Sequence, residues 1–396
     1  MTVIVEEGAT APVVAITLVV RVGSRHETAG TNGVTALLGR ALLKGTGTRS
    51  ALEIAQVAED SGGAIESGTD QEYSEVRARG LARHWRALLG LVHEAATAPS
   101  LAPDEIERER DALLAQIRGL EDQPFQVANR LLNRALYGAH AYGMPTSGES
   151  ATVQRLGRED LVRHLEAFYT PDRMVLAVAG RVAAHEVLAE AARLFGRAVR
   201  GLAAPPLTAP PERPVWPRAD ERRPTQQTQL LMGFLGSPVG HSDHVALKVM
   251  SAVLGSGMSS RLFRALREEA GLAYAVGAFY PTRWETGRIV VHVGTAPSNL
   301  GAVEAGIRRE VERLRTERVP DDELVRTKAF LAGAFALDLR TNARRSFYLG
   351  FFELAGVGHG YLVRYPDLTG SVTGADVQRV ARRYLVEPSV VIVGAS

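Results

Sequence analysis

Cysteine is absent from this chain of 396 residues, which excludes disulfide bonds, thiol catalysis and thiolate metal sites. A long hydrophobic run is absent too: the longest one near the start, residues 11–22, is rich in β-branched residues and too short to span a bilayer. Charge of one sign is not in excess, with 46 lysines and arginines against 44 acidic residues. We therefore expect no nucleic-acid or membrane partner, and a cytoplasmic protein, or a periplasmic one if a signal peptide was removed.

Proline is concentrated in one segment that divides the chain. The segment contains Pro205, Pro206, Pro210, Pro211, Pro214, Pro217 and Pro224. Such a composition favours an extended, semi-rigid connector. A chain of this length, with 45% hydrophobic and 23% charged residues, is expected to form two or more globular domains. We predict an N-terminal domain at residues 1–203, a linker at 204–228 and a C-terminal domain at 229–396.

The two halves repeat one pattern. A β-rich run ends at Gly23 in the first half and another ends at Gly236 in the second, an offset of 213 residues (236 minus 23). An amphipathic helical stripe at residues 34–42 recurs at 246–254, and an apolar strand at 175–179 recurs at 390–393. These offsets agree, so an internal duplication is expected. Hairpin strands mixed with helices predict two homologous α+β domains, each a sheet with helices packed on one face.

The most informative motif is the run from Asn32 to Thr46, with a predicted helix followed by Lys-Gly-Thr. It resembles the zinc-binding helix of the inverzincin peptidases, the insulinase, pitrilysin and mitochondrial-processing-peptidase family, which carries H-x-x-E-H. In this register Ala36, Gly39 and Arg40 stand at the three chemical positions. A later helix, residues 107–117, resembles the one that supplies the family's carboxylate ligand. It keeps Glu109 but has Gln116 at the position of that ligand.

In the inverzincin family, the resemblance implies a zinc site with two imidazoles and a carboxylate as ligands and a glutamate as general base. Ala36 has no donor atom, Gly39 has no side chain, and Arg40 is a permanent cation. The neutral amide of Gln116 replaces the ligand carboxylate. We therefore expect no metal and no cofactor in this chain, and no zinc-dependent hydrolysis by the chain alone.

A second motif in the C-terminal half keeps its chemistry. The run from Leu254 to Tyr274, a Gly/Ser-rich loop, a helix and Gly-Leu-Ala-Tyr, resembles the best-known C-terminal motif of the same family. The family's Arg/Tyr pair matches Arg267 and Tyr274, which the resemblance implies are donors to the substrate beside a zinc ion. Two other interpretations stay open here. Arg261, Arg264 and Arg267 can form one solvated helix face, and the glycine-rich loop can bind phosphate, although no G-x-x-x-x-G-K-[ST] follows it.

The family's N-terminal domain has an edge strand that pairs with the substrate backbone. The resemblance assigns that strand to Ala64, Ile65, Glu66 and Ser67, with Glu66 and Ser67 in place of an Asn-Ala pair. Strand addition uses backbone groups and can persist, whereas the asparagine contact cannot. A further pair, His241 and His244, has the spacing of two metal ligands, but it is more typical of a polar helix N-terminus.

The resemblance implies half of a clamshell and a mainly antiparallel sheet in each domain. Our leading hypothesis is the non-zinc subunit of a heterodimeric zinc peptidase that acts on peptides or unfolded segments. Its partner would be a homologous chain with the zinc motif, and a homodimer of the isolated chain stays open. A purely structural or substrate-recognition protein is the alternative from another class. A metal-independent hydrolase is a third, without a G-x-S-x-G motif to support it.

Overall fold

The computed structural model describes residues 1–196, 207–225 and 227–395. The strands are β1 (Thr2–Glu7), β2 (Val13–Val20), β3 (Ala64–Thr69), β4 (Ser74–Leu81), β5 (Met174–Gly180), β6 (Arg218–Arg222), β7 (Thr228–Leu235), β8 (Ala275–Phe279), β9 (Arg288–Thr295) and β10 (Ser389–Gly394). The α-helices are α1 (Val34–Ala41), α2 (Ala51–Asp60), α3 (Trp85–Thr97), α4 (Pro103–Glu121), α5 (Pro124–Tyr137), α6 (Ser150–Val153), α7 (Arg158–Phe168), α8 (Ala184–Phe195), α9 (His244–Gly255), α10 (Leu300–Thr316), α11 (Asp321–Asp338), α12 (Asn342–Leu354), α13 (Tyr361–Ser371) and α14 (Gly374–Tyr384).

The strands form two five-stranded sheets with the same topology. Their orders are β1-β5-β2-β4-β3 and β6-β10-β7-β9-β8. In each sheet the first pair is parallel and the other pairs are antiparallel. The predicted α+β fold with mainly antiparallel sheets is confirmed, and the shared strand order agrees with an internal duplication. The strands β3 and β8 lie at edges of their sheets.

The chain groups into two compact units, each with one sheet. The first unit comprises Met1–Ile117, Met144–Leu207 and Leu337–Leu362; the second comprises Arg118–Gly143, Thr208–Ala336 and Val363–Ser396. Neither unit is contiguous, because α5 packs on β7 and β10 of the second sheet while α12 packs on β2 and β5 of the first. The contiguous boundaries expected from the sequence, 1–203 and 229–396, therefore differ from the compact units by these exchanged segments.

In the first unit, α12 covers the sheet face opposite to the main core. The hydroxyls of Thr17 and Ser346 lie 2.8 Å apart, and a Cβ added to Gly350 would be 2.8 Å from Cγ2 of Val19. Ile16 and Leu18 alternate with these strand residues and belong to the main core with α1, α3 and α7. Successive strand residues point to opposite faces, so helices cover both faces of this sheet.

The second unit is built in the same way. Met232 and Val291 face the core that contains α9, α10 and α14, whereas Leu231 and Val391 face α5. A Cβ on Gly233 would be 2.7 Å from Cδ1 of Leu132 in α5. The sequence predicts helices on one face of each sheet, and most helices pack in this way. The second face is covered by one helix in each unit, α12 on the first sheet and α5 on the second.

Part of the predicted linker is a strand. Residues 218–222 form β6, which pairs in parallel with β10, and the backbone amides of Val215 and Trp216 both donate to the carbonyl of Ala135. The linker boundaries 204–228 therefore need correction at β6. The strand is short and charged, and prolines flank it. Edge strands tolerate these features, but the same features hide the strand pattern in the sequence. Pro205 and Pro206 lie outside the described residues.

Candidate functional site

The N-terminus of helix α1 is stabilised by a buried carboxylate and preceded by a glycine. Gly33 precedes it with a φ of 101°, a conformation that favours glycine. The buried carboxylate of Glu27 accepts hydrogen bonds from the backbone amides of Gly33 and Thr35 and from Nδ2 of Asn32, each at 2.8 Å. Burial raises the pKa of Glu27 to about 7, against the lowering effect of these hydrogen bonds. The glycine of the sequence motif is therefore explained by the entry of the chain into α1.

Arg40 reaches from α1 to α4 and bridges both carboxylate positions of the resemblance. Its Nε donates to Oε2 of Glu109 at 2.8 Å, and its Nη1 donates to Oε1 of Gln116 at 3.2 Å. Lys44 makes a second ion pair with Glu109, with Nζ 2.8 Å from Oε1. A guanidinium group thus stands between the two helices and holds the side chains that a metal would need.

Ala36 and Gly39, at the other two positions of the motif, pack tightly against neighbouring residues. Ala36 is buried in the core of the first unit. At Gly39 an added Cβ would lie 2.5 Å from Cγ2 of Thr69, and the hydroxyl of Ser67 donates to the carbonyl of Gly39 at 2.7 Å. Strand β3 therefore lies directly against α1 and leaves no space for a longer side chain at position 39.

The residues at these four positions do not fit a zinc ion. Ala36 and Gly39 provide no ligand atom, Arg40 brings a positive charge, and the carbonyl oxygen of Gln116 accepts a hydrogen bond from Arg40. Within the part of the chain that the structure describes, no group of three or more His, Asp or Glu side chains could hold a metal ion. We therefore derive no catalytic step from zinc bound to this chain.

The predicted substrate strand, residues 64–67, lies in β3, whose strand partner among the described residues is β4. Glu66 pairs with Arg77 across the strands, with Nη2 2.8 Å from Oε2, and with Arg79 at 3.3 Å. Ser67 points to the opposite face, toward α1. The carboxylate of Glu66 is thus engaged by two arginines on the face away from Arg40, so β3 offers backbone groups rather than the family's asparagine contact.

Arg267 lies in a π-helix, Phe263–Glu269, that follows the glycine-rich loop. Leu266 anchors this helix in the core, and a Cβ on its neighbour Gly306 in α10 would be 2.5 Å from Cδ2 of Leu266. Arg267 itself is exposed, and its guanidinium carbon lies 5.0 Å from the ring centroid of Phe263. Single π-helical turns are frequent at functional sites.

Tyr274 immediately precedes the edge strand β8. Its backbone amide donates to the carbonyl of Gly294 at 2.9 Å, while its side chain is 62% exposed. Its hydroxyl has no hydrogen-bond partner among the described residues. Arg267 and Tyr274 therefore both present donor groups to solvent from a segment that the core of the second unit holds.

The solvated-face interpretation of the three arginines fails for Arg261. This side chain is buried and forms a bidentate ion pair with Glu323, with distances of 2.9 and 2.8 Å. Arg264 and Arg267 are exposed.

The two histidines at positions 241 and 244 make different contacts. The buried His244 forms a hydrogen bond with the hydroxyl of Tyr280 at 3.0 Å. His241 accepts a hydrogen bond from the backbone amide of Asp243 at 3.0 Å.

Sequence reasoning missed the ion pair between Lys44 and Glu109 and the π-helix that contains Arg267. Lys44 lies four residues after Arg40, which is the spacing of one helix face, so this signal was available. No residue pattern in the single sequence marks the π-helix at Phe263–Glu269. Ion pairs such as Arg40 with Glu109 join residues that are far apart in the chain, and only the fold brings them together.

Two family descriptions match the chain in succession. Residues 2–150 match "Insulinase (Peptidase family M16)", and residues 155–331 match "Peptidase M16 inactive domain". An uncharacterized zinc protease of Bacillus subtilis is 30% identical over 87% of this chain and 84% of its own length. The chain belongs to peptidase family M16.

Other M16 proteins agree with this assignment. An uncharacterized zinc protease of Streptomyces coelicolor is 31% identical over 94% of this chain and 83% of its own length. The crystal structure of a peptidase M16 inactive domain from Pseudomonas fluorescens matches with a TM-score of 0.92 at 22% identity, over 100% of this chain and 96% of that chain. A protease from Helicobacter pylori has the same TM-score at 20% identity, over 99% and 96%. These structures show the fold, and the inverzincin resemblance is confirmed.

The M16 chain described here has a peptidase fold whose zinc positions lack ligands. The "inactive domain" description covers Arg267 and Tyr274, whose roles it does not state. Among the described residues, no helix is long and apolar enough to cross a membrane.

Proposed function

We propose that this chain is the non-zinc subunit of a two-chain M16 metallopeptidase. Its partner would be a homologous chain that carries an intact H-x-x-E-H helix and the zinc ion. Arg267 and Tyr274 would bind the substrate peptide and stabilise the oxyanion at the partner's zinc site. The chain alone would be inactive.

The contrast between the two motifs carries this proposal. At the zinc positions, Arg40 donates hydrogen bonds to Glu109 and Gln116, so these three side chains are paired with one another within the protein. At the second motif, the side chains of Arg267 and Tyr274 are exposed while their backbone is fixed. A purely structural protein has no need to keep two hydrogen-bond donors open to solvent, and this favours the catalytic role over the structural alternative.

The chemistry of the two donors suits peptide hydrolysis. The tetrahedral intermediate of amide hydrolysis carries an oxyanion, and a preorganised donor aimed at it is worth about 3–4 kcal/mol in known enzymes. Tyr274 can donate its phenolic O–H to that oxygen. Arg267 offers several N–H groups in a fixed plane, which suit the carbonyl oxygens of an extended peptide.

Strand β3 supports a peptide substrate in extended conformation. It is an edge strand, and an extended peptide can add to such an edge through backbone hydrogen bonds. The backbone does not read side-chain identity, and Glu66 is held by Arg77 and Arg79. We therefore expect broad side-chain tolerance at this strand, as for unfolded segments.

The test is to express the chain with an H-x-x-E-H homologue from the same genome and to measure hydrolysis of an unstructured peptide. The pair should be active, and zinc should be found with the partner. Tyr274→Phe and Arg267→Ala should each lower kcat by about tenfold or more, without loss of zinc. Arg264→Ala is the matched control, because Arg264 is an exposed arginine of the same π-helix and should leave the rate near wild type.

Two results would contradict the proposal. Stoichiometric zinc and hydrolysis in the lone chain would make it an independent enzyme. A pair whose rate is unchanged by both substitutions would support the structural or recognition role instead.

A further inference from the structure

The backbone of Leu272 makes two hydrogen bonds that hold the loop between Arg267 and Tyr274. Its amide donates to the carbonyl of Leu266 at 2.8 Å, which ties it to the π-helix beside Arg267. Its carbonyl accepts a hydrogen bond from the hydroxyl of Thr295 at 2.5 Å. The two donor residues are therefore linked to each other and to the end of β9 through Leu272.

Thr295 is placed to act as a fixed support. It is the last residue of β9 and is fully buried. Its neighbour Gly294 accepts the backbone hydrogen bond of Tyr274 at 2.9 Å. Two adjacent residues of β9 thus hold the loop at Leu272 and at Tyr274.

The side chain of Tyr274 depends on this backbone support. It is 62% exposed, and its hydroxyl has no partner within the described ranges. The backbone at residues 272–274 therefore sets the position from which this side chain extends. Oxyanion donors act over a narrow range of geometry, and a misplacement of about 1 Å can cost about 100-fold in rate.

We propose that Thr295 is a positioning residue for Tyr274 and Arg267, acting through its hydrogen bond to Leu272. This inference rests on the proposed function. Loss of the hydroxyl would leave the Leu272 carbonyl without its donor and loosen the loop, while the sheet keeps its strand pairing and the other two backbone hydrogen bonds remain. The substitution should lower kcat more than it raises KM.

The first measurement uses the lone chain and does not depend on a partner. In Thr295→Val, hydrogen exchange should become faster at residues 267–275 and stay unchanged in the first unit. Thr295→Ser, which retains the hydroxyl, should restore slow exchange. Thr152→Val is the matched control, since Thr152 is a buried threonine whose hydroxyl donates to the carbonyl of Ala29; it should leave residues 267–275 unchanged. Unchanged exchange there in Thr295→Val, in a chain that folds, overturns the inference.

The second measurement uses the active pair. Thr295→Val should lower kcat by about tenfold with little change in KM, and Thr295→Ser should recover most of the rate. Combined with Tyr274→Phe, it should add less than its effect in the wild-type background, because part of its effect acts through the hydroxyl of Tyr274. Fully multiplicative effects would overturn the inference. Failure of the proposed function looks different: the wild-type pair is inactive, or Tyr274→Phe and Arg267→Ala leave it unchanged, while the exchange result still decides whether Thr295 holds the loop.

Discussion

The guanidinium of Arg40 donates from Nε to Oε2 of Glu109 at 2.8 Å, joining α1 to α4. The same side chain reaches Gln116 at 3.2 Å. A permanent cation of the chain itself therefore connects α1 to α4, and with Lys44 it pairs the carboxylate of Glu109.

We expect Arg40→Ala to lower the free energy of unfolding by about 1 kcal/mol, because Glu109 loses one of two cationic partners and Arg40 is partly exposed. Chemical denaturation measures the change, and a double-mutant cycle with Glu109→Gln isolates the pair. Arg108→Ala is the control: its ion pairs on α4 are exposed, and its effect should stay within about 0.5 kcal/mol. A coupling energy of zero would show that the Arg40–Glu109 contact contributes nothing.

Gly39→Ala should destabilise the protein, although alanine is the better helix former. The new Cβ would meet Cγ2 of Thr69 at 2.5 Å, and overpacking of this kind costs about 1–3 kcal/mol. Thr69→Ser removes that methyl and should recover stability in the double variant. Gly90→Ala in α3, where a Cβ meets nothing within 4 Å, should instead be neutral or stabilising. Equal thermal shifts for the two glycine variants would rule out the steric explanation.

Zinc binding should be recoverable by changing three residues. Ala36→His, Arg40→His and Gln116→Glu together restore two imidazoles and a carboxylate on α1 and α4, and this variant should bind about one zinc ion per chain. Metal analysis after dialysis and a zinc-dependent rise in Tm check the gain. The variant with both histidines but with Gln116 retained is the control and should bind more weakly. Absence of zinc from the triple variant would mean that α1 and α4 are not spaced as in a zinc-binding M16 site.

The buried His164 and the half-buried His26 should each lower the free energy of unfolding as pH falls below about 6.5. Burial lowers the pKa of His164 to about 4, and burial together with Arg25 lowers that of His26 to about 3. Between those values and the unfolded value near 6.5, the unfolded chain binds more protons, so the free energy of unfolding falls as pH drops through this window.

Glu27 acts in the opposite direction. Its folded pKa of about 7 exceeds its ordinary value of 4.5, so its contribution is present below about pH 4.5 and is lost as pH rises through 7. The histidine effect is therefore measured as a difference. The change in the free energy of unfolding from pH 7.5 to pH 5 should be less negative in His164→Gln than in the wild type, and an equal pH dependence in both would refute the role of His164.

The sequence by itself determined the features that depend on local pattern. The S-x-x-E spacing of Ser50 and Glu53 predicts a capping box at the start of a helix. That box is present at α2, with the Ser50 amide 2.7 Å from Oε2 of Glu53. The polar–apolar alternation of residues 72–79 predicts a strand, and most of that run lies in β4. The sequence also predicts a helix at about residues 103–120, which is α4. The absence of ligands at Ala36, Gly39, Arg40 and Gln116 is also decided by residue identity. The roles of Arg267 and Tyr274 stay predictions, since the structure shows their exposure and not their substrate.

Only the tertiary structure decided which distant segments meet. The partners of Arg40 lie on another helix 69 and 76 residues along the chain, and the exchange of α5 and α12 between units leaves no mark in periodicity. Thr295 reads as an ordinary strand residue until the fold places its hydroxyl against Leu272. The physical reason is the same in each case. Helical and strand periods follow from the backbone of neighbouring residues, whereas hydrogen bonds and packing across the chain depend on how the sheets and helices assemble.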